Sequence, residues 1–208
     1  GLRPGEKLHE ELTSPEETAV ATAAAIRLTG ATPVFVDIDP ESYNMDPAAV
    51  EAAVTPKTKA ILPVEVFGNP AGMDAICEIA DKHNLTVLED SCEALGSTLN
   101  GKKVGTFGTM STFAFYPNKQ MTTGEGGMVT TNDRDMARLA WNLRDHAFST
   151  ERHFWHKYVG FNYRMTKVQY AVGLSQLRKI DRVIAQRQAP GPVLRVAAVV
   201  AESFGHHA

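Results

Sequence analysis

The segment with the clearest chemical potential is residues 113–129, FAFYPNKQMTTGEGGMV, in which Lys119 follows an aromatic strand-like stretch and precedes three glycines. A lysine just beyond a buried strand loses part of its hydration, and this makes its amine a better nucleophile. The glycines let a ligand approach the backbone closely and permit the positive φ values of a tight turn. The pattern indicates a reactive lysine at a ligand site, with a solvated surface lysine in a turn as the alternative.

A second candidate is Asp90, in residues 86–96, TVLEDSCEALG. An aspartate at the carboxyl end of a strand can pair with a protonated pyridine nitrogen, and the stabilised charge turns that ring into an electron sink. The alternative is that Asp90 only caps a helix starting at Ser91.

The elements that must position these residues alternate between strand and helix, and this order predicts βαβ units and a mainly parallel sheet. Apolar runs predict strands at residues 33–38, 60–67, 85–88, 110–115 and 127–131. Helical spacing and capping residues predict helices at residues 14–29, 46–54, 70–84, 132–146 and 166–187. Ligands bind where parallel strands end, so Asp90 and Lys119 are expected to face one crevice.

Composition narrows the class of protein. The 208 residues carry 21 Lys and Arg against 24 Asp and Glu, a net charge of −3, which does not favour nucleic acid or an anionic membrane as partner. No apolar run approaches the roughly 18 residues of a membrane span, and no leader-like segment opens the chain. The two cysteines, Cys77 and Cys92, suit neither a disulfide framework nor a metal site. We expect a cytoplasmic α/β enzyme.

Five motifs, in this order along residues 30–187, resemble the sugar-nucleotide aminotransferases of the DegT/StrS type. They are GATPVFVDIDPESYNMDP, LPVEVFGNPAGMDAICEIA, LEDSCEALGS, the Lys119 segment, and GFNYRMTKVQYAVGLSQL. The resemblance implies the large domain of the fold-type-I pyridoxal 5'-phosphate (PLP) enzymes. That fold is an α/β three-layer sandwich with a mainly parallel sheet, here expected to be truncated at both ends.

Site roles follow from the same resemblance. Lys119 resembles the Schiff-base lysine, which also moves a proton between the substrate carbon and the cofactor, and Asp90 resembles the partner of the pyridine nitrogen. Glu93 stands where the family has a Gln, His or Glu near the ring. Asn162 resembles a residue that reaches the cofactor phosphate of a neighbouring subunit, and Arg164 beside it is a further candidate. A homodimer with shared active sites is therefore implied, and no metal site.

The implied reaction transfers an amino group from an amino acid, with glutamate as the expected donor, to a 3-keto or 4-keto nucleotide sugar. Such a reaction belongs to polysaccharide, lipopolysaccharide or antibiotic-sugar biosynthesis. One alternative is a related PLP-dependent sugar dehydratase, but those relatives have histidine in place of the lysine, and Lys119 argues against it. The other alternative is a non-catalytic fragment or regulator that keeps the sheet.

The two ends differ in character from the middle of the chain. Residues 1–13 resemble the C-terminal motif of nucleotide-sugar dehydratases and are expected to be a remnant or linker. Residues 14–187 form the expected aminotransferase core, and residues 188–208 an unrelated tail, whose His206 and His207 lack a third ligand. The aromatic and basic stretch 146–163 is either part of the nucleotide-sugar entrance or a plain surface loop.

Overall fold

The computed structural model describes residues 15–148, 154–156 and 158–189. The helices in these residues are α1 (Pro15–Leu28), α2 (Pro47–Ala53), α3 (Met73–His83), α4 (Arg134–Arg144), α5 (Lys167–Leu177) and α6 (Ile180–Gln188). The strands are β1 (Ala60–Ile61), β2 (Thr86–Asp90), β3 (Thr98–Leu99), β4 (Lys102–Lys103), β5 (Met110–Ala114) and β6 (Gly127–Thr130).

The main sheet has the strand order β1-β2-β5-β6. β1 and β5 both pair parallel with β2, whereas β6 returns antiparallel beside β5. The register places Asp90 opposite Thr112, so the last residue of β2 lies near the end of β5 that leads to Lys119. The predicted mainly parallel sheet is confirmed. The short antiparallel hairpin β3–β4 was not predicted.

The core lies between this sheet and two helices. α3 packs on β1, β2 and α2, and its apolar residues Met73, Ile76 and Ala80 are buried against the strand residues Ile61 and Val87. These helix positions recur at intervals of three and four, so one stripe of α3 faces the sheet. α2 begins as predicted at its N-cap, where the Asp46 carboxylate accepts a hydrogen bond from the backbone N–H of Ala48.

Two of the predicted strands are wrong in extent. Residues 33–38 form no strand: only Ile38 makes a bridge, to Met45, because no described strand lies beside the rest of the segment. Val34 and Phe35 are accordingly 71% and 66% exposed. The predicted strand 60–67 pairs regularly only at β1, since Pro63 has no N–H to donate, and residues 66–68 form a 3₁₀ turn.

Two predicted helices also need correction, one at its start and one in its interior. The N-cap of α4 is Asp133 rather than Asn132, because the Asp133 carboxylate accepts the backbone N–H groups of the first turn. The predicted helix 166–187 begins as expected with a Thr166 capping box but is interrupted near Lys179, where ψ is 2°, giving α5 and α6. The predicted helix 14–29 is confirmed as α1, and its predicted N-cap, Ser14, lies outside the described residues.

The expectations for the two chain ends concern residues 1–13 and 188–208, which lie almost entirely outside the described residues, as do His206 and His207. They stay predictions. Within the described part of the chain, no helix is both long and apolar enough to cross a membrane. The same residues contain no group of His, Cys, Asp and Glu side chains suited to hold a metal ion.

Candidate functional site

Asp90 is the last residue of β2 and is held there by its backbone. Its N–H donates to the carbonyl of Pro63 over 2.9 Å, and its carbonyl accepts from the N–H of Glu65 over 3.2 Å. The carboxylate accepts two long hydrogen bonds, from Thr22 Oγ1 at Oδ2 and from the Cys92 N–H at Oδ1, both 3.3 Å. Turns rather than a helix follow it, so the interpretation of Asp90 as a helix cap is wrong.

Glu93 lies in the turn after β2 and joins three separate parts of the chain. Its Oε1 lies 3.2 Å from Lys119 Nζ, and its Oε2 accepts the backbone N–H of Phe67 over 2.9 Å. Its own carbonyl accepts from the side-chain amide of Gln120. Both carboxylate oxygens therefore have donors, and the carboxylate is fixed between the 3₁₀ turn and the Lys119 loop.

Lys119 stands in the loop between β5 and β6. Its side chain is 16% exposed, because it points to Glu93 rather than to solvent, so the interpretation as a solvated surface lysine is wrong. The Lys119 N–H donates to the carbonyl of Tyr116 over 3.1 Å, and Arg187 donates to the carbonyl of Lys119 over 3.4 Å. The predicted glycine turn is present, with φ of +80° at Gly124.

Asp90 and Lys119 both act electrostatically on Cys92. Burial, together with the negative charge of Asp90, raises the pKa of the Cys92 thiol to about 12, and the positive charge of Lys119 opposes the shift. Both charged groups therefore act on one thiol. The structure pairs Glu93 with Lys119 directly, whereas Asp90 is linked to Lys119 only through their common effect on Cys92.

Asn162 and Arg164 lie in a different place, on an extended segment beside the end of α4. Asn162 bridges to Asp145 through the backbone and is exposed, and Arg164 forms an ion pair with Asp145 over 3.1 Å. The hydrogen bond from His146, together with the charge of Arg164, holds the pKa of Asp145 below its ordinary value.

Among the described residues, no hydrogen bond or ion pair joins Asn162 or Arg164 to the Asp90, Glu93 and Lys119 group. Their expected action across a subunit interface stays a prediction. The stretch 146–163 is described in part, and there Phe148 packs against the rings of His146, Phe154 and His156. Whether it forms an entrance for a nucleotide sugar stays a prediction too.

Sequence reasoning missed several residues that support the site, because they come from distant positions. They are Thr22, Phe67, Gln120 and Arg187, whose contacts are given above, and the buried acid Glu65. Only Glu65 carried a readable signal, a single acid inside the otherwise apolar stretch AILPVEVF. Phe67 acts through its backbone N–H, which any residue type except proline would supply, so its role leaves no trace in the sequence.

Comparison with known proteins decides which family this arrangement belongs to. The family model described as "DegT/DnrJ/EryC1/StrS aminotransferase family" matches residues 4–197. This chain belongs to that family. A GDP-perosamine synthase of Caulobacter vibrioides is 48% identical over 188 residues, which are 90% of this chain and 50% of that protein.

Two solved structures support the same family assignment. PseC of Helicobacter pylori, an aminotransferase involved in the biosynthesis of pseudoaminic acid, superposes with a TM-score of 0.74 at 38% identity, covering 78% of this chain and 44% of that one. The Escherichia coli GDP-4-keto-6-deoxy-D-mannose-3-dehydratase, solved with bound hydrated PLP, gives 0.71 at 33% identity, covering 76% and 45%. The expected fold-type-I architecture is confirmed, and PLP is confirmed as the cofactor of the family. The chain spans about half the length of the curated relatives it matches.

The residues of the site fit PLP chemically. The two contacts to the Asp90 carboxylate are long, so oxygen lone pairs remain available to accept the N–H of a protonated pyridine ring. Lys119 offers a largely buried amine with one carboxylate partner, and a lysine amine in such a site can form a Schiff base with an aldehyde.

Proposed function

We propose that this chain carries the cofactor site of a PLP-dependent sugar-nucleotide aminotransferase. The proposed reaction moves an amino group from an amino acid, with L-glutamate as the expected donor, to a keto nucleotide sugar. Family membership supports the reaction class. The observation that carries the proposal is the largely buried Lys119–Glu93 pair, together with the electrostatic effect of both Asp90 and Lys119 on the thiol of Cys92.

Each residue of the group has a distinct task in this proposal. When bound, PLP supplies an aldehyde carbon open to attack by amines and a ring that accepts electron density. Lys119 Nζ holds the cofactor covalently and, once free, moves the proton at the substrate carbon that bears the amino group. The Asp90 carboxylate accepts the ring N–H and favours its charged form. Glu93 orients Lys119 Nζ through the 3.2 Å ion pair.

The dimer and the cellular location belong to the same proposal. In a homodimer, Asn162 and Arg164 of one subunit would serve the phosphate end of the neighbour's cofactor, for which their exposed positions are suitable. We also propose a cytoplasmic enzyme. Cys77 and Cys92 are both free thiols, as expected in a reducing compartment.

A titration with PLP tests the cofactor site directly. We expect a visible absorption band, and borohydride reduction followed by peptide mass spectrometry should locate the label on Lys119. Lys119→Ala should abolish both signals, whereas Lys103→Ala, which removes an exposed lysine of β4, should change neither. An unchanged band in Lys119→Ala would overturn the role of Lys119.

Addition of L-glutamate separates turnover from binding. An aminotransferase should lose the visible band when the donor is added in the absence of keto sugar, because the first half-reaction leaves the amino group on the cofactor. A band that persists with glutamate and other amino acids would instead support the non-catalytic alternative. The dehydratase alternative is disfavoured because Lys119 is present.

A further inference from the structure

Glu65 is a charged residue type in a place where a charge is costly. It is 1% exposed, and neither of its carboxyl oxygens has a hydrogen-bond partner in the described residues. An ionised carboxylate buried without donors is strongly destabilising, whereas the uncharged acid is tolerated much better. No step of the proposed reaction uses this residue.

The ionisable groups around Glu65 also favour its uncharged form. Burial, together with the charges of Glu89 and Asp90 on β2, raises the pKa of Glu65 to about 8, although the Ser91 hydroxyl opposes the shift. Both oxygens of Glu89 already accept backbone N–H groups, from Gly105 and Gly108. Because backbone N–H groups only donate, Glu65 is the member of this acid pair that carries the proton.

The backbone around Glu65 supports both acids of the cofactor site. As described above, both backbone groups of Asp90 pair with residues 63–65, and Phe67 donates its N–H to Glu93. Glu65 is also the N-cap residue of the 3₁₀ turn, because the Gly68 N–H donates to its carbonyl over 3.1 Å. A movement of Glu65 would therefore disturb Asp90 and Glu93 together.

We propose that Glu65, as a buried uncharged acid, is a positioning residue that holds Asp90 and Glu93 in place for the cofactor, and that its deprotonation loosens the site. This inference rests on the proposed function. Loss of the proton leaves a charge beside Glu89 and Asp90 that only the nearby Ser91 hydroxyl offsets, so the segment 63–67 is expected to open towards water or move away from β2. Only the molecules in which Glu65 is protonated then bind the cofactor.

The test compares PLP affinity across pH in the wild-type chain and in two variants that have no ionisable side chain at this position, Glu65→Gln and Glu65→Met. The ratio of dissociation constants, wild type to Glu65→Gln, should rise roughly thirtyfold from about pH 6 to about pH 9.5, since affinity falls with the competent fraction. Glu65→Met replaces the acid with a side chain of similar volume. The ratio of its PLP dissociation constant to that of Glu65→Gln should therefore stay constant over the same pH range. Glu78→Gln, an exposed acid on α3, should behave as wild type.

An infrared measurement without cofactor supplies a second readout. At about pH 6 the wild type should show the carbonyl stretch of a protonated carboxylic acid that Glu65→Gln lacks and Glu78→Gln keeps. Parallel pH profiles in wild type and both Glu65 variants, or no such infrared signal, would overturn the proposal although PLP still binds. Failure of the wild type to bind PLP at any pH would instead overturn the proposed function, and with it the role of Glu65 there.

Discussion

Glu93 Oε1 and Lys119 Nζ lie 3.2 Å apart, with side chains that are only 20% and 16% exposed. The two residues are 26 positions apart in the sequence, and the β3–β4 hairpin and the whole of β5 lie between them. The pair therefore depends on the packed sheet, and it sets the direction in which the amine points. The predictions below test this pair, its surroundings and the segment that carries Asn162.

A double-mutant cycle with Glu93→Gln and Lys119→Met should measure the coupling of this pair. We expect an interaction free energy of about 1 kcal/mol, because a hydrogen-bonded ion pair that is shielded from water contributes more to stability than an exposed pair does. The measurement is the free energy of unfolding in urea for both single variants and the double variant. Strict additivity of the two substitutions would show that the pair does not contribute to stability.

Cys92 should report the charges of the proposed site through its rate of alkylation by iodoacetamide. Only the thiolate reacts, and burial and Asp90 raise the pKa of Cys92, so the wild-type rate should be low. Asp90→Asn should lower that pKa and speed alkylation by about threefold or more, whereas Lys119→Ala should slow it.

Cys77 is the internal reference in the same experiment. Burial also raises the pKa of Cys77, but neither Asp90 nor Lys119 contributes to that shift. Its alkylation should stay constant in both variants, as followed by peptide mass spectrometry. If Cys92 reacted equally fast in wild type, Asp90→Asn and Lys119→Ala, the two charged groups would not flank one thiol.

Arg164→Gln should move the pKa of Asp145 upward, toward the ordinary 3.8. The hydrogen bond from His146 and the charge of Arg164 lower this pKa in the folded chain. The ionised Asp145 therefore stabilises the fold at pH values above the ordinary aspartate pKa. That contribution is lost as pH falls through the lowered value. The measurement is an NMR titration of the Asp145 carboxyl carbon, with Arg138→Gln, an exposed pair with Asp135, as control. Identical titrations in wild type and Arg164→Gln would contradict the role of this ion pair.

Gly160→Ala should destabilise the segment that carries Asn162. A Cβ at Gly160 would collide with the backbone of His146 and Ala147, next to the hydrogen bond from the His146 N–H to the Phe161 carbonyl. We expect a loss of about 2 kcal/mol or more in the free energy of unfolding, because backbone atoms cannot yield as a flexible side chain can.

The matched control for this substitution is Gly101→Ala in the β3–β4 turn. There φ is +79° and a Cβ would meet open space, so the loss should be about 1 kcal/mol from backbone strain alone. Equal losses at the two glycines, measured by urea unfolding, would show that close packing at residue 160 is unimportant.

Prediction of the fold from the sequence succeeded where local signals and tertiary packing agree. The apolar spacing of α3 and the N-cap at Asp46 are local properties, and the structure has both. Prediction failed for residues 33–38, whose apolar pattern is that of a strand but which pair with a described neighbour only at Ile38. A strand requires a partner, and nothing within those six residues specifies one.

The sequence by itself determined which groups are available for chemistry: a lysine after β5, an aspartate at the end of β2 and an acid three residues later. Only the tertiary structure decided that Glu93 faces Lys119, that the backbone N–H of Phe67 donates to Glu93, and that the Glu65 carboxyl is buried with no hydrogen-bond partner among the described residues. The physical reason is that distance and desolvation depend on residues far apart in the chain. The type of each side chain is given by the sequence at that position, whereas its hydration depends on which other residues pack against it in the folded protein.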